Sequence, residues 1–174
     1  LIREALRLAK HQPKAVVIKS RKEMPVPDLG PTELDWNLWE ADSVPVDCVA
    51  LPASHPLYIL YTSGTTGKPK GIVRDNGGHA VALKYSMKAV YDVQEGDVFW
   101  AASDVGWVVG HSYIVYGPLL AGCTTVLYEG KPVKTPDAGA FWRVISQHRV
   151  KVFFVAPTAI RAIRKEDSQG ELIE

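Results

Sequence analysis

Between Tyr61 and Gly71 the chain reads Tyr-Thr-Ser-Gly-Thr-Thr-Gly-Lys-Pro-Lys-Gly. Four hydroxyls (Thr62, Ser63, Thr65, Thr66), three glycines (Gly64, Gly67, Gly71) and two lysines (Lys68, Lys70) fall within eleven residues. Glycines let backbone N–H groups approach an anion closely, and hydroxyls and an ammonium add further donors. Such a composition describes a phosphate-binding loop. The apolar run Leu57-Tyr58-Ile59-Leu60 ahead of it predicts a strand that delivers the loop at its carboxyl end, where open α/β sheets bind ligands. Two common designs are excluded by spacing. The Walker pattern G-x-x-x-x-G-K-[ST] fails because Gly64 and Gly67 are separated by two residues and Lys68 is followed by Pro69. The dinucleotide fingerprint fails on the spacing of Gly64, Gly67 and Gly71, and Pro69 interrupts an immediate helix start. A solvated Gly/Thr turn is the plainer reading of the loop taken alone.

Two further stretches stand beside it. The run resembles the signature loop of the acyl-adenylate-forming superfamily, which contains acyl-CoA synthetases, luciferases and peptide-synthetase adenylation domains. The family form, Tyr/Phe-Thr-Ser-Gly-Ser/Thr-Thr-Gly-x-Pro-Lys-Gly, is matched at every defined position. Ser103-Asp104-Val105-Gly106-Trp107-Val108-Val109-Gly110-His111-Ser112-Tyr113 resembles the second signature of the acetyl- and propionyl-CoA synthetase branch. Ala156-Pro157-Thr158-Ala159-Ile160-Arg161 is similar to that branch as well. The three stretches keep family order and family-like spacing, and the resemblance runs from about residue 55 to 165.

The resemblance implies ATP-dependent activation of a short-chain carboxylic acid, propionate or acetate, to an acyl-adenylate and then to acyl-CoA, with AMP and pyrophosphate released. ATP, Mg²⁺ and coenzyme A are the implied cofactors; the implied partners are small molecules. Negative charge gathers on the departing phosphates, so the first step calls for an array of donors. Thr62, Ser63, Gly64, Thr65, Thr66, Gly67 and Lys70 are the implied phosphate ligands, with Thr65 and Lys70 expected to serve the chemistry. Lys68 falls at the variable position and reads equally well as a surface charge. Trp107, Val108, Val109, Gly110 and His111 are expected at the acyl pocket, against the bland reading of Trp107 as a core tryptophan. Val109 stands where acetyl-CoA synthetases commonly carry Thr, which favours propionate or butyrate at least as much as acetate. A carboxylate is already ionised at neutral pH, so His111 reads as a structural or pocket-shaping residue rather than a base. Asp104 reads as a cap for the next turn. Arg161 is either a nucleotide or CoA contact or a solvated helix residue. His55, His79 and His148 lack partners at ligand spacing and read as surface or core residues, and no metal ligand is assigned.

The remaining composition sets bounds. At 47% hydrophobic and 22% charged residues the chain has globular rather than disordered character. A net charge of +1 gives no broad basic field for nucleic acid or an acidic membrane, and no apolar run approaches the ~20 residues needed to span a bilayer. Cys48 and Cys123 are too few for a disulfide framework and suit a reducing compartment. The mitochondrial matrix is the expected location, with the cytoplasm as the alternative; oligomeric state is not legible.

The elements that must hold these residues follow from periodicity. Helix is predicted over 1–11, and a buried parallel strand over Ala15–Ile18. A proline-rich loop is expected over 20–56, with a short helix near Trp36–Trp39. Strand 57–62 should feed the phosphate loop, and 71–74 should return from it. Asp75 or Asn76 should cap a helix over 78–91, with Val81, Tyr85, Lys88 and Ala89 on its inner face. A strand at 98–101, a helix over 112–120 limited by Pro118, a strand over 124–128, a helix over 137–148 with His148 on its buried face, a strand over 151–155 and a helix opened by Pro157 complete the pattern. Alternating strands and helices predict an α/β fold around a largely parallel sheet, part of the layered amino-terminal domain of adenylate-forming enzymes. Residues 1–174 are therefore expected to be an internal, partial AMP-binding (adenylation) domain. The family's Tyr-Gly-x-Thr-Glu motif, ribose-binding Asp, hinge and carboxyl-terminal catalytic subdomain have no counterpart in the sequence. The chain alone is expected to be inactive; the alternative is a non-catalytic truncated product that at most binds nucleotide weakly or a protein partner.

Overall fold

The computed structural model describes residues 2–26, 28–63 and 67–173, in two compact units, Leu1–Val49 and Ala50–Glu174. The first unit holds α1 (Ile2–Leu8), β1 (Val16–Ile18), β2 (Glu33–Asp35) and α2 (Trp36–Ala41). β1 and β2 run parallel, with Val16 opposite Glu33. β1 is half-buried rather than buried as predicted. α2 starts where the Asp35 carboxylate accepts from Asn37 N and Leu38 N, at 2.9 and 3.1 Å, an N-cap that satisfies two otherwise orphaned donors. β2 has no counterpart in the sequence reading, because three residues of Glu-Leu-Asp carry no alternation to detect.

The second unit contains β3 (Pro56–Thr62), β4 (Lys70–Asp75), α3 (Asn76–Ala89) and β5 (Val98–Ala102). A continuous helical stretch follows: α4 (Val108–Gly110), a π-helix (His111–Tyr116) and α5 (Gly117–Leu120). Next come β6 (Thr124–Thr125), α6 (Ala140–His148), β7 (Val152–Val155) and α7 (Pro157–Glu166). β5 lies between β6 and β7 in a parallel three-stranded sheet, so the fold is α/β around a parallel sheet. β3 and β4 instead form an antiparallel hairpin of their own.

Both faces of β5 are buried. Phe99 and Ala101 join Met87 of α3, Ile114 of the π-helix, Val93 and Cys123 in one core. Trp100 points the other way and packs with Ala138, Phe141 of α6 and Ile163 of α7. Two-residue alternation in a strand sends successive side chains to opposite layers, and here each layer has its own helices.

Several boundaries and faces differ from the sequence reading. The buried stripe of α3 is His79, Leu83 and Met87, not Val81 and Tyr85, each 71% exposed. A histidine heads the stripe, so counting apolar residues selects the wrong face. β6 stops at Thr125 because the chain leaves the sheet, with the Tyr128 hydroxyl donating to the Thr135 carbonyl at 2.8 Å. α6 begins three residues later than expected, since Asp137 instead accepts from Gly139 N at 2.8 Å and pairs with Arg143. His148 is exposed at its end.

The helical stretch ends at Leu120, as the limit set by Pro118 predicts. Proline has no N–H to give to a carbonyl of the preceding turn. The Thr125 hydroxyl of β6 donates to the Ile114 carbonyl at 2.8 Å. The helix thereby gains a tie to the sheet. Thr125→Val keeps the shape and removes the donor, and should cost about 1–3 kcal/mol, the penalty of one buried unpaired carbonyl. Urea unfolding of the two proteins, with unchanged m-value, is the measurement that checks it.

Candidate functional site

The described residues of the 61–71 stretch belong to, or adjoin, the β3–β4 hairpin. Thr62 pairs with Lys70, Tyr61 with Gly71, Ile59 with Val73 and Tyr58 with Arg74. The loop therefore returns directly along its own strand rather than passing from a parallel strand into a helix. Gly64, Thr65 and Thr66 lie outside the described residues. Thr62, Ser63, Gly67, Lys68 and Lys70 are exposed. Gly67 has φ +78° with open space around a would-be Cβ, a left-handed conformation that favours glycine.

The second stretch leaves the carboxyl end of β5. Asp104 Oδ1 accepts from Gly106 N at 2.7 Å, and its carbonyl accepts from Trp107 N at 3.1 Å, so Asp104 caps the turn as the sequence indicates. Trp107 precedes α4 with an extended backbone, and its carbonyl accepts from His111 N at 3.0 Å. His111 Nδ1 lies 3.1 Å from the same carbonyl; a carbonyl only accepts, so Nδ1 is the donor. Trp107 is 70% exposed, which overturns its bland reading as a core residue. Val108 and Val109 are half-buried and Gly110 is buried. A Cβ on Gly110 would overlap the Asp104 carbonyl and the Val105 Cα, so glycine here lets the first helical turn close onto the preceding turn.

The third stretch begins after β7. Ala102 of β5 is in register with Val155 of β7, so Ser103 and Ala156 leave adjacent parallel strands at the same sheet edge. Pro157 opens α7 as predicted, and Arg161 is exposed on it. Crevices at the carboxyl ends of parallel strands are where α/β sheets bind ligands.

A cluster absent from the sequence reading joins the hairpin to this edge. The Tyr58 ring of β3 lies 5.2 Å from His111, 5.7 Å from His79 and 5.9 Å from Tyr116 between centroids. Tyr116 is stacked on it with an interplanar angle of 17°, while His79 meets it edge-on at 87°. His79, 8% exposed, is held at the start of α3, where its N–H donates to Asp75 Oδ1 at 3.2 Å. Asp75 is thus the N-cap, one of the two residues expected to be so. Burial pushes the His79 imidazole below its ordinary value; the Arg74 charge adds to this and the Asp75 charge opposes it. Arg74 Nε is itself buried without a partner among the described residues. The usable signal was strand period: Tyr58, Leu60 and Thr62 share one face of β3.

The AMP-binding enzyme family model matches residues 2–172. The chain belongs to the AMP-binding enzymes. Within that family it is 60% identical over its whole length to an uncharacterized protein of Pseudomonas aeruginosa, covering 28% of that protein. It is 58% identical over 99% of its length to acyl-CoA synthetase short-chain family member 3, mitochondrial, of Homo sapiens, covering 25% of that protein. It is 46% identical over 87% of its length to acetyl-coenzyme A synthetase 2 of Pseudomonas aeruginosa, covering 23% of that protein. This AMP-binding chain spans about a quarter of the length of the curated relatives it matches.

The lowered pKa of His79 has a sign that stability measurements can read. Below about pH 6.5, the unfolded value, the unfolded chain binds a proton that the folded chain still refuses. Stability therefore falls with pH from there until His79's own, lower value is passed. His79→Gln should lack this component, so the difference in stability between the two proteins should change across that window and be flat above it. Thermal melts from pH 8 to 5 test this.

Proposed function

We propose that the protein carrying this chain activates a short-chain carboxylic acid with ATP and transfers the acyl group to coenzyme A. The carboxylate oxygen attacks the α-phosphorus of ATP, pyrophosphate departs, and the thiolate of coenzyme A then displaces AMP from the acyl-adenylate. The observation that carries the proposal is convergence. Two of the three signature stretches leave adjacent strands at one sheet edge, and Tyr58 joins the hairpin of the first to His111 of the second. Names of the relatives, acyl-CoA synthetase and acetyl-coenzyme A synthetase, support the same chemistry.

In this reading the loop from Thr62 to Lys70 holds the departing phosphates. Among the described residues the side chains of Thr62, Ser63 and Lys70 are exposed and free of other bonds, the state that an anion cradle needs. Lys70 and Thr65 serve the leaving pyrophosphate, with Ser63, Thr62, Thr66 and the backbone of Gly64 and Gly67 as further donors. Trp107, Val108 and Val109 form the acyl wall, and Gly110 permits the turn that presents them. His111 shapes the site rather than acting as a base. Val109 makes the wall more apolar than a threonine would and favours propionate or butyrate over acetate, by a margin of about 1–3 kcal/mol per methylene. No group of three or more His, Cys, Asp or Glu converges among the described residues, so Mg²⁺ is assigned no ligand from them. The mitochondrial names of the Homo sapiens and Dictyostelium discoideum relatives support the matrix as location, and the Pseudomonas relatives support the cytoplasm.

Carboxylate-dependent ATP–pyrophosphate exchange by the protein containing this segment tests the proposal. Exchange should be strongest with propionate, and Lys70→Ala or Thr65→Ala should lower it about 10²–10³-fold, the loss expected for one preorganised donor. Absence of exchange with acetate, propionate and butyrate alike would sink the short-chain reading. The 174 residues alone should form no acyl-CoA under the same conditions.

A further inference from the structure

Three elements meet on the ring of Tyr58: β3 supplies the tyrosine, the first turn of α3 supplies His79, and the π-helix supplies His111 and Tyr116. Tyr58 stands four residues before Thr62 on the same strand face, and His111 stands four residues after Trp107, bonded to its carbonyl. The cluster thus touches the hairpin that ends in the phosphate loop and the helix that begins at the acyl segment. The Tyr58 hydroxyl lies 3.4 Å from His79 Nε2. That bond gives His79 a job a plain aromatic filler lacks: it fixes which way the phenol points, and with it the roll of β3.

We propose that His79 and Tyr58 are positioning residues, which hold the hairpin carrying the phosphate loop in register with the helix carrying Trp107 and His111. This rests on the acid-activation reading above. His79 faces Tyr58 from β3, Arg74 and Asp75 from β4, and Tyr116 from the π-helix, with His111 on the far side of Tyr58. It bonds the phenol as a neutral imidazole, and burial together with the Arg74 charge keeps it neutral.

Two substitutions separate positioning from space-filling. His79→Phe keeps the ring and loses the bond to the phenol; His79→Gln loses the ring and keeps a polar group that can reach it. In the exchange assay, His79→Phe and Tyr58→Phe should each raise KM for ATP roughly three- to tenfold, the size of one lost neutral hydrogen bond, with kcat little changed. Their combination should be no worse than either alone, and His79→Gln should recover most of the loss. A wild-type protein without exchange would count against the reading rather than the register. Amide hydrogen exchange on the 174-residue chain then decides the register directly. Protection should fall together in 59–62, 72–74 and 111–116 of His79→Phe, while 98–102 and 152–155 hold. The proposal is overturned by a Phe variant that behaves as wild type, by additive effects, or by protection lost evenly across β5 and β7.

Discussion

β5 has no face turned to water. Phe99 and Trp100, neighbours in sequence, are both fully buried on opposite sides of the sheet, and each large aromatic removed from water is worth a few kcal/mol. Shifting the strand by one residue would exchange the two layers and put Trp100 into the space built for Phe99. Its register is therefore fixed from both sides at once. Everything that leaves its carboxyl end inherits that precision, including Asp104 with its capped turn and the helical stretch that starts after Trp107. β7, aligned through Ala102 and Val155, sends the third stretch out alongside it.

The hairpin has a different standing. Ile59, Tyr61 and Val73 on one of its faces are exposed, so its own core is thin and its place in the unit depends on few contacts. Pro56 and Ala53 lie near the start of α3, with Gly77 N donating to the Ala53 carbonyl at 2.7 Å. The Tyr58 ring contributes ring contacts to α3 and the π-helix. The stretch between β3 and β4 is thus carried on a lever rather than embedded in the sheet, and such segments come from the less stable end of a fold.

The candidate site was legible wherever its information is local. The apolar runs on either side of 61–71 announce a strand and its return, and Pro157 after a β-branched run announces a helix start. Asp104 and Asp75 announce caps. What could not be read depends on partners far along the chain. The sequence alone cannot tell that β3 pairs with β4 rather than joining the parallel sheet, since a short apolar run is consistent with either. The inner face of α3 is misread because its first buried residue is a histidine whose burial depends on Tyr58 and Tyr116, respectively 21 and 37 positions away. The helix end at Leu120 agrees with the limit that Pro118 sets, but the tie from Thr125 to the Ile114 carbonyl comes from the next strand and could not be read.

The π-helix adds a constraint of another kind. In an α-helix, residues five apart diverge by about 140° around the axis, so His111 and Tyr116 would face different neighbours. Bonding from i to i+5 winds the chain more loosely and narrows that angle to roughly 50°, and both rings flank Tyr58. Spacing, more than side-chain identity, is what this stretch encodes. A tyrosine exchanged for phenylalanine at 116 would leave the stack in place; a single codon lost between 111 and 116 would turn one ring away from it. When relatives are aligned, insertions and deletions should fall outside these six positions even where the letters within them change.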